Sequence, residues 1–119
     1  MQKHLVPICK TKKEVLRAFK KSSKYDIPLC LRSGAHCYEA YSLCEGMVLD
    51  QSRRTKVIIN KKKRLLTIES GCLNGPTAAI VSKYGLMLPA GTRANVGIVG
   101  LCLGGGLSFG LRMFGFDLG

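Results

Sequence analysis

Glycine constrains the fold of this chain more than any other residue type, because its glycines cluster towards the C-terminal end. The chain has 14 glycines in 119 residues, and six of them lie between Gly97 and Gly110. Three in a row, Gly104 to Gly106, leave the backbone bare of side chains. Such a backbone either packs tightly against a sheet or receives a flat or charged ligand against the main chain. The residues alone leave both interpretations open.

A second stretch, Arg-Ser-Gly-Ala-His at 32–36, follows a short apolar run and contains one of only two histidines. A strand that runs into such a turn presents consecutive backbone N–H groups, and a concavity of aligned N–H groups binds phosphate oxygens. Gly34 allows either the close approach of another segment or a positive φ. Taken alone the pattern is weak, since a histidine beside a glycine turn is more often structural than catalytic. The glycine stretch towards the C-terminal end fits neither the Walker nor the Rossmann glycine pattern.

Residues 11–26 predict a helix. Thr11 and Glu14 have the spacing of a capping box, and Val15, Leu16 and Phe19 form an apolar stripe with lysines opposite.

Short apolar runs predict a buried strand at 27–34 that ends in a turn at Gly34, a strand at 46–52, and two more within 56–71 that are joined by a basic turn. A second helix opens at Asn74-Gly75-Pro76 and closes at Gly85. After residue 91 the apolar residues show no clear helical or strand periodicity. This order of elements implies a single α+β domain.

The net charge of +12 is extreme for this length. It suggests a nucleic acid or an anionic membrane as partner, or a basic surface on a protein that binds a phosphorylated small molecule. The lysines are scattered, and no aromatic residue interleaves with the basic run 61–64 to form a stacking platform. This arrangement argues against nucleic acid.

The six cysteines include no Cys-x-x-Cys pair, and two histidines are too few to complete a typical set of zinc ligands. Both observations argue against a zinc site. The N-terminal residues lack the apolar core of a signal peptide, and no apolar run approaches ~20 residues, so we expect no membrane span. Six cysteines without an export signal predict thiols in a reducing cytoplasm.

The glycine stretches together are more specific than either one. "RSGAHCYEAYS", "GMVLDQS" and "PAGTRANVGIVGLCLGGGLS", in this order, closely resemble the FAD-binding domain of the berberine bridge enzyme-like oxidoreductases. These enzymes belong to the vanillyl-alcohol oxidase group with PCMH-type FAD-binding domains. The resemblance runs from Val6 to Gly119 and implies an incomplete PCMH-type FAD-binding domain within an α+β fold.

The resemblance also implies roles for individual residues. The family's R-S-G-G-H loop wraps the FAD pyrophosphate, and its histidine commonly bonds covalently to the 8α-methyl of the flavin, a position that His36 matches. A neutral imidazole is a competent nucleophile for such a bond. The implied FAD contacts are Arg32, Ser33, Gly34, Ala35, His36, Asp50, Ser52, Ala90, Gly91, Thr92, Val96, Gly97, Gly100, Gly104, Gly105 and Gly106.

Four positions depart from the family pattern. Ala35 replaces the second glycine of the loop, so we expect a negative φ there. Arg93 stands where many members carry a cysteine that makes a second flavin bond, which excludes a thioether at that position. Leu101 replaces a frequent histidine, and Gln51 replaces the leucine of the family's D-L-S strand end.

The resemblance implies that residues 1–119 are the N-terminal portion of an FAD-binding domain, with the substrate domain absent. Family members are several times longer, and their substrate-side catalytic residues lie beyond this portion. The implied function is FAD binding within an oxidoreductase that takes hydride from a small organic substrate and reduces dioxygen or another acceptor. A complementing subunit could supply the missing part of the enzyme. The alternatives are a truncated, non-catalytic remnant and a basic nucleic-acid-binding module.

Overall fold

A computed structural model of the chain describes residues 5–108 and 110–114. Its helices and strands follow one another in the order that the sequence predicts. Two further helices, which the sequence does not predict, lie towards the glycine-rich C-terminal end. The residues 115–119, at which the predicted domain breaks off, lie outside the described part. The elements are α1 (Lys12–Lys24), β1 (Leu29–Arg32), β2 (Met47–Asp50), β3 (Val57–Asn60), β4 (Leu65–Ile68), α2 (Asn74–Ser82), α3 (Ile98–Gly104) and α4 (Leu111–Phe114).

Strand β2 is the centre of the core. It pairs in parallel with β1, with Leu29 opposite Met47 and Arg32 opposite Asp50. On its other side the segment 5–9 runs parallel to it, through isolated bridges at Leu5 and Ile8. All four residues of β2 are buried, as a continuous apolar run flanked on both edges should be. Strand β1, predicted to be buried, is only partly so.

Helix α1 begins with the predicted capping box. The Thr11 hydroxyl accepts from the Glu14 N–H at 3.3 Å, and a Glu14 carboxylate oxygen accepts from the Thr11 N–H at 3.0 Å. The predicted apolar stripe is partly wrong, because Ala18 is the buried residue, whereas Leu16 and Phe19 are about half-exposed. Ala18 packs into the cluster that contains Leu49 and Cys9, with Val15 partly buried against it.

The basic run 61–64 forms the turn of an antiparallel hairpin between β3 and β4, as predicted. Val57 lies opposite Ile68 and Asn60 opposite Leu65. Partly buried and exposed residues alternate along both strands, so the hairpin has one packed face and one open face.

Helix α2 opens and closes where the sequence predicts. Pro76 lies in its first turn, and Gly85, with φ +67°, follows its last turn and donates to the Ser82 carbonyl at 2.9 Å. Helix α3 was not predicted. Its glycines at 100 and 104 obscure the helical period, and its N-cap, Gly97, makes no side-chain cap hydrogen bond. Within the described residues, no helix is long and apolar enough to cross a membrane.

Candidate functional site

The two glycine stretches meet. A Cβ on Gly34 would overlap the backbone nitrogen of Gly97, and a Cβ on Gly97 would lie 2.6 Å from the Ser33 hydroxyl oxygen. Gly34 has no positive φ. Its glycine is therefore required by the close approach of the second loop, which settles the alternative left open by the sequence.

A cleft of about 370 Å³ opens beside this contact. Four of the predicted site residues line it: Ser33, Gly34, His36 and Ser52. The remaining wall comes from the segment after Ser52, from α2 with the turn before it, and from the second loop. These lining residues, which the sequence analysis missed, are Thr55, Val57, Gly71, Cys72, Leu73, Pro76, Thr77, Ile80 and Asn95.

The turn at 33–36 carries unused donors at this cleft. Among the described residues, the backbone N–H groups of Ser33, Gly34, Ala35 and His36 donate to no backbone carbonyl. The Ser33 hydroxyl is buried and has no hydrogen-bond partner there either. Buried polar groups without partners are uncommon and costly, and an anion bound at the turn would satisfy them.

Ala35 adopts φ +57°, so the expectation of a negative φ is wrong. The turn keeps the left-handed conformation that a glycine adopts freely, although alanine strains there by about 1 kcal/mol. The turn thus adopts this shape at a local cost in strain. The close contact of the neighbouring Gly34 with Gly97 helps to hold the turn in this shape.

We expect Ala35→Gly to raise the free energy of unfolding by about 1 kcal/mol, because glycine relieves the strain, and the Tm by about 4 °C. Thermal unfolding measures it. The matched control is Ala40→Gly, which has the same φ of +57° outside the cleft. Both variants should gain stability, and a destabilised Ala35→Gly with a stabilised Ala40→Gly would contradict the strained turn.

Arg32 and Asp50 end the two parallel strands next to the cleft as an ion pair. One Asp50 carboxylate oxygen accepts from Arg32 Nη2 at 2.6 Å and from Nε at 3.1 Å, and the other accepts from the Ser52 N–H at 2.8 Å. Burial acts to raise the pKa of Asp50, but the hydrogen bonds from Ser52 and Arg32 outweigh it and hold that pKa below its usual value. Both side chains thus fix the strand ends that carry Ser33 and Ser52.

A carboxyl group with a lowered pKa stabilises the folded state above its unfolded pKa of about 3.8 and loses that contribution as the pH falls through its folded pKa. We expect Asp50→Asn to cost about 2 kcal/mol at pH 7, because Arg32 keeps its charge without a partner. The cost should shrink below about pH 4. Urea unfolding across this range measures it, with the exposed Glu39→Gln as control; a pH-independent cost would contradict the ion pair.

A polar cluster underlies one wall of the cleft. Ser70 Oγ donates to Gln51 Oε1 at 3.0 Å, and Arg54 Nη1 donates to Gln51 Oε1 at 3.1 Å. A Cβ on Gly71 would overlap the Gln51 carbonyl oxygen. Gln51, which departs from the family's leucine, is therefore a buried structural residue here and holds the segment that presents Ser52 and Thr55.

The other predicted contacts lie behind the cleft or away from it. Gly91 packs against Asn74 and bridges Ser108, and the Val96 carbonyl accepts from the Asn74 N–H at 3.0 Å. Gly100 and Gly104 lie in α3 with open space around them. None of the following predicted residues lines the cleft in the part of the chain that the structure describes: Arg32, Ala35, Asp50, Ala90, Gly91, Thr92, Val96, Gly97, Gly100, Gly104, Gly105 and Gly106.

A turn of unused N–H groups, held against a second glycine loop at a cleft, is an arrangement that suits phosphate oxygens. Residues 4–116 match the FAD binding domain family, and the chain belongs to that family. It is 40% identical over 112 residues to YgaK, an FAD-linked oxidoreductase of Bacillus subtilis (strain 168), covering 93% of this chain and 25% of the relative. FAD is accordingly the cofactor of this domain.

Solved structures show the same fold. Over 94% of this chain and 25% of theirs, 6-hydroxy-D-nicotine oxidase from Arthrobacter nicotinovorans superposes with a TM-score of 0.90 at 25% identity. BBE-like 1 from Physcomitrella patens superposes with a TM-score of 0.89 at 30% identity over the same shares. These confirm the predicted PCMH-type, berberine bridge enzyme-like fold. The chain spans about a quarter of the length of the relatives that it matches.

The described residues fit FAD. The N–H groups of 33–36 and the unpartnered Ser33 hydroxyl suit a diphosphate, which needs several donors and little side-chain bulk. The close contact between Gly34 and Gly97 packs the second loop directly against the turn that lines the cleft, and a side chain at either position would push the two apart.

Proposed function

We propose that this chain supplies the pyrophosphate-binding part of a flavin-dependent oxidoreductase acting on a small organic substrate. The observation that carries the proposal is the pinned turn at 33–36, whose N–H groups and Ser33 hydroxyl have no partner among the described residues. Bound FAD supplies the redox chemistry, accepting hydride from a substrate C–H bond and passing electrons to dioxygen or another acceptor. The residues of this chain bind and orient the cofactor.

We further propose that His36 is the point of covalent attachment. Its side chain is exposed and lines the cleft, two residues after Gly34, so its imidazole is accessible to a ligand bound at the turn. The imidazole nitrogen would bond to the 8α-carbon of the flavin as that methyl group and the imidazole each lose a proton. The electron pair would pass to the flavin and from it to dioxygen. Attachment would retain the cofactor even where the short chain encloses it incompletely.

The activity requires more protein than these residues, which we propose comes from further chain or a complementing subunit. Several large apolar side chains support this requirement, since Tyr38 is 100% exposed, Leu103 83% and Met113 81%. Apolar surface of this kind marks an interaction site or a loss of solubility. If no such protein exists, the chain is a non-catalytic remnant of the family.

We propose that the protein is cytoplasmic. Its cysteines carry thiols, Cys9 and Cys72 being buried and Cys37 exposed, as suits a reducing compartment. The charge of +12 far exceeds what one diphosphate requires, and the binding of FAD accounts for only a small part of it.

The test is expression of the full 119-residue chain, acid precipitation, and measurement of flavin absorbance and fluorescence in pellet and supernatant. Flavin in the pellet, with the mass of one FAD on the peptide that contains His36, would support both proposals. Flavin in the supernatant alone would support the binding site and contradict the covalent bond. A colourless protein that also fails to bind added FAD would overturn the proposed function for this chain and favour the remnant.

A further inference from the structure

Two cysteines that the cofactor site does not use lie together at the edge of the parallel sheet. Cys30 is in β1, and Cys44 is in the loop that leads into β2. The Cys44 thiol lies 3.7 Å from the Pro28 carbonyl oxygen and 3.5 Å from the Met47 carbonyl oxygen, which places it over the beginning of both strands. Cys30, two residues after Pro28, makes a side-chain hydrogen bond with Cys44.

The environment separates the roles of the two sulfurs. Burial, and next the hydrogen bond with Cys44, raises the pKa of Cys30 to about 11. Cys30 therefore keeps its proton at neutral pH and is a poor first target for an oxidant, because the thiolate is the reactive form. Cys44 lies in a loop and Cys30 within β1, so Cys44 is the candidate for the first oxidation, and Cys30 is in contact with it and can react with the product.

We propose that Cys30 and Cys44 are a peroxide-responsive dithiol that closes to a disulfide. The peroxide O–O bond breaks as Cys44 sulfur takes one oxygen to become a sulfenic acid, and one water leaves. Cys30 sulfur then attacks the sulfenic sulfur, the S–S bond forms, and the sulfenic oxygen leaves as a second water with the Cys30 proton. Overall the two thiols lose two electrons and two protons, and the peroxide is reduced.

The disulfide would close the segment 30–44, which contains the cofactor turn and the loop after His36. That loop has few contacts of its own: the Ala40 N–H donates to the Cys37 carbonyl at 3.2 Å and the Leu43 N–H to the Ala40 carbonyl at 2.9 Å. Tyr38 and Tyr41 are exposed. Bonding its end to β1 would restrict the loop next to His36.

The natural source of the peroxide depends on the proposed function, because an oxidase that reduces dioxygen would release hydrogen peroxide near this loop. No other part of the proposal rests on that function. The test uses added hydrogen peroxide and is therefore independent of flavin. The full 119-residue protein is treated with peroxide, its remaining thiols are alkylated, and it is digested with trypsin and a glutamyl endopeptidase. Cleavage after Arg32, Glu39 and Glu45 separates Cys30, Cys37 and Cys44 into different peptides.

We expect the peptide 25–32 to be disulfide-linked to the peptide 40–45 after peroxide and not after treatment with a thiol reductant. Cys37→Ser should keep this link, whereas Cys30→Ser and Cys44→Ser should each lose it. In the intact protein, cleavage after Glu39 should be about tenfold slower when oxidised. Links made through Cys37, or thiols that all stay open to alkylation, would overturn the proposal, and equal cleavage rates would overturn the restriction of the loop. Failure to bind FAD would leave this result unchanged and count only against the proposed function.

Discussion

Replacing Gly34 with valine should weaken FAD binding by about 100-fold, which corresponds to about 3 kcal/mol. The Cβ alone would overlap the Gly97 nitrogen and lie 3.2 Å from the Asn95 carbonyl oxygen. These are backbone atoms, which cannot rotate aside as a side chain can. The two loops must separate, and the turn that carries the unused N–H groups is then displaced. FAD titration by flavin fluorescence quenching measures the loss.

The control for this substitution is Ala79→Val, which adds a branched side chain at an exposed position of α2 that does not line the cleft. It should lower stability by a few tenths of a kcal/mol through helix propensity and leave the FAD affinity unchanged. Thermal unfolding of both variants separates a lost site from a lost fold. Gly34→Val that binds FAD with unchanged affinity would contradict the contact between the loops as the basis of the site.

Local patterns were sufficient for the elements that rest on local physics. The apolar run at 46–52 predicts the strand β2, though not its burial, the capping-box spacing predicts the start of α1, and the basic turn at 61–64 predicts the hairpin. The sequence did not predict helix α3, because glycines 100 and 104 interrupt its short apolar segment. Glycine has a low helix propensity, so the local sequence does not indicate a helix there. Leu16 and Phe19 belong to the predicted apolar stripe but are about half-exposed, because the sequence does not show how much of such a stripe a small sheet covers.

The site could not be predicted from single residues. Gly34 and Gly97 are more than half the chain apart, and no local signal tells a glycine required by a distant backbone from one in an ordinary turn. Only the order of several motifs, read as a family resemblance, brought the two loops together. Cys72, Thr77 and Asn95 enter the cleft through the packing of α2 and the second loop, and that packing has no signature in sequence.

Ala35 shows where a correct local rule gives a wrong result. Alanine avoids positive φ in general, so a negative angle was the reasonable expectation. At this turn the contacts of its neighbours fix the backbone more strongly than alanine's own preference. Deviations of this kind concentrate at functional sites, where a geometry needed for binding is kept at a local cost.

Replacing His36 with alanine should abolish acid-stable flavin while leaving dissociable FAD. The imidazole is the proposed nucleophile, and alanine has no atom that can form the bond. The pyrophosphate contacts of the turn come from the backbone of 33–36 and the Ser33 hydroxyl, which the substitution leaves in place. After acid precipitation the flavin should therefore move from the pellet to the supernatant.

His4→Ala is the matched control, since His4 is the chain's other histidine, and it should keep the flavin in the pellet. Flavin that stays in the pellet of His36→Ala would contradict the assignment and direct the search to another nucleophile. Comparison with Gly34→Val separates binding from attachment. The valine should reduce both flavin fractions because it opens the turn, whereas the alanine at His36 should remove only the covalent one. If both variants lost all flavin alike, His36 would have to be a binding residue as well, and the backbone turn alone would not hold FAD.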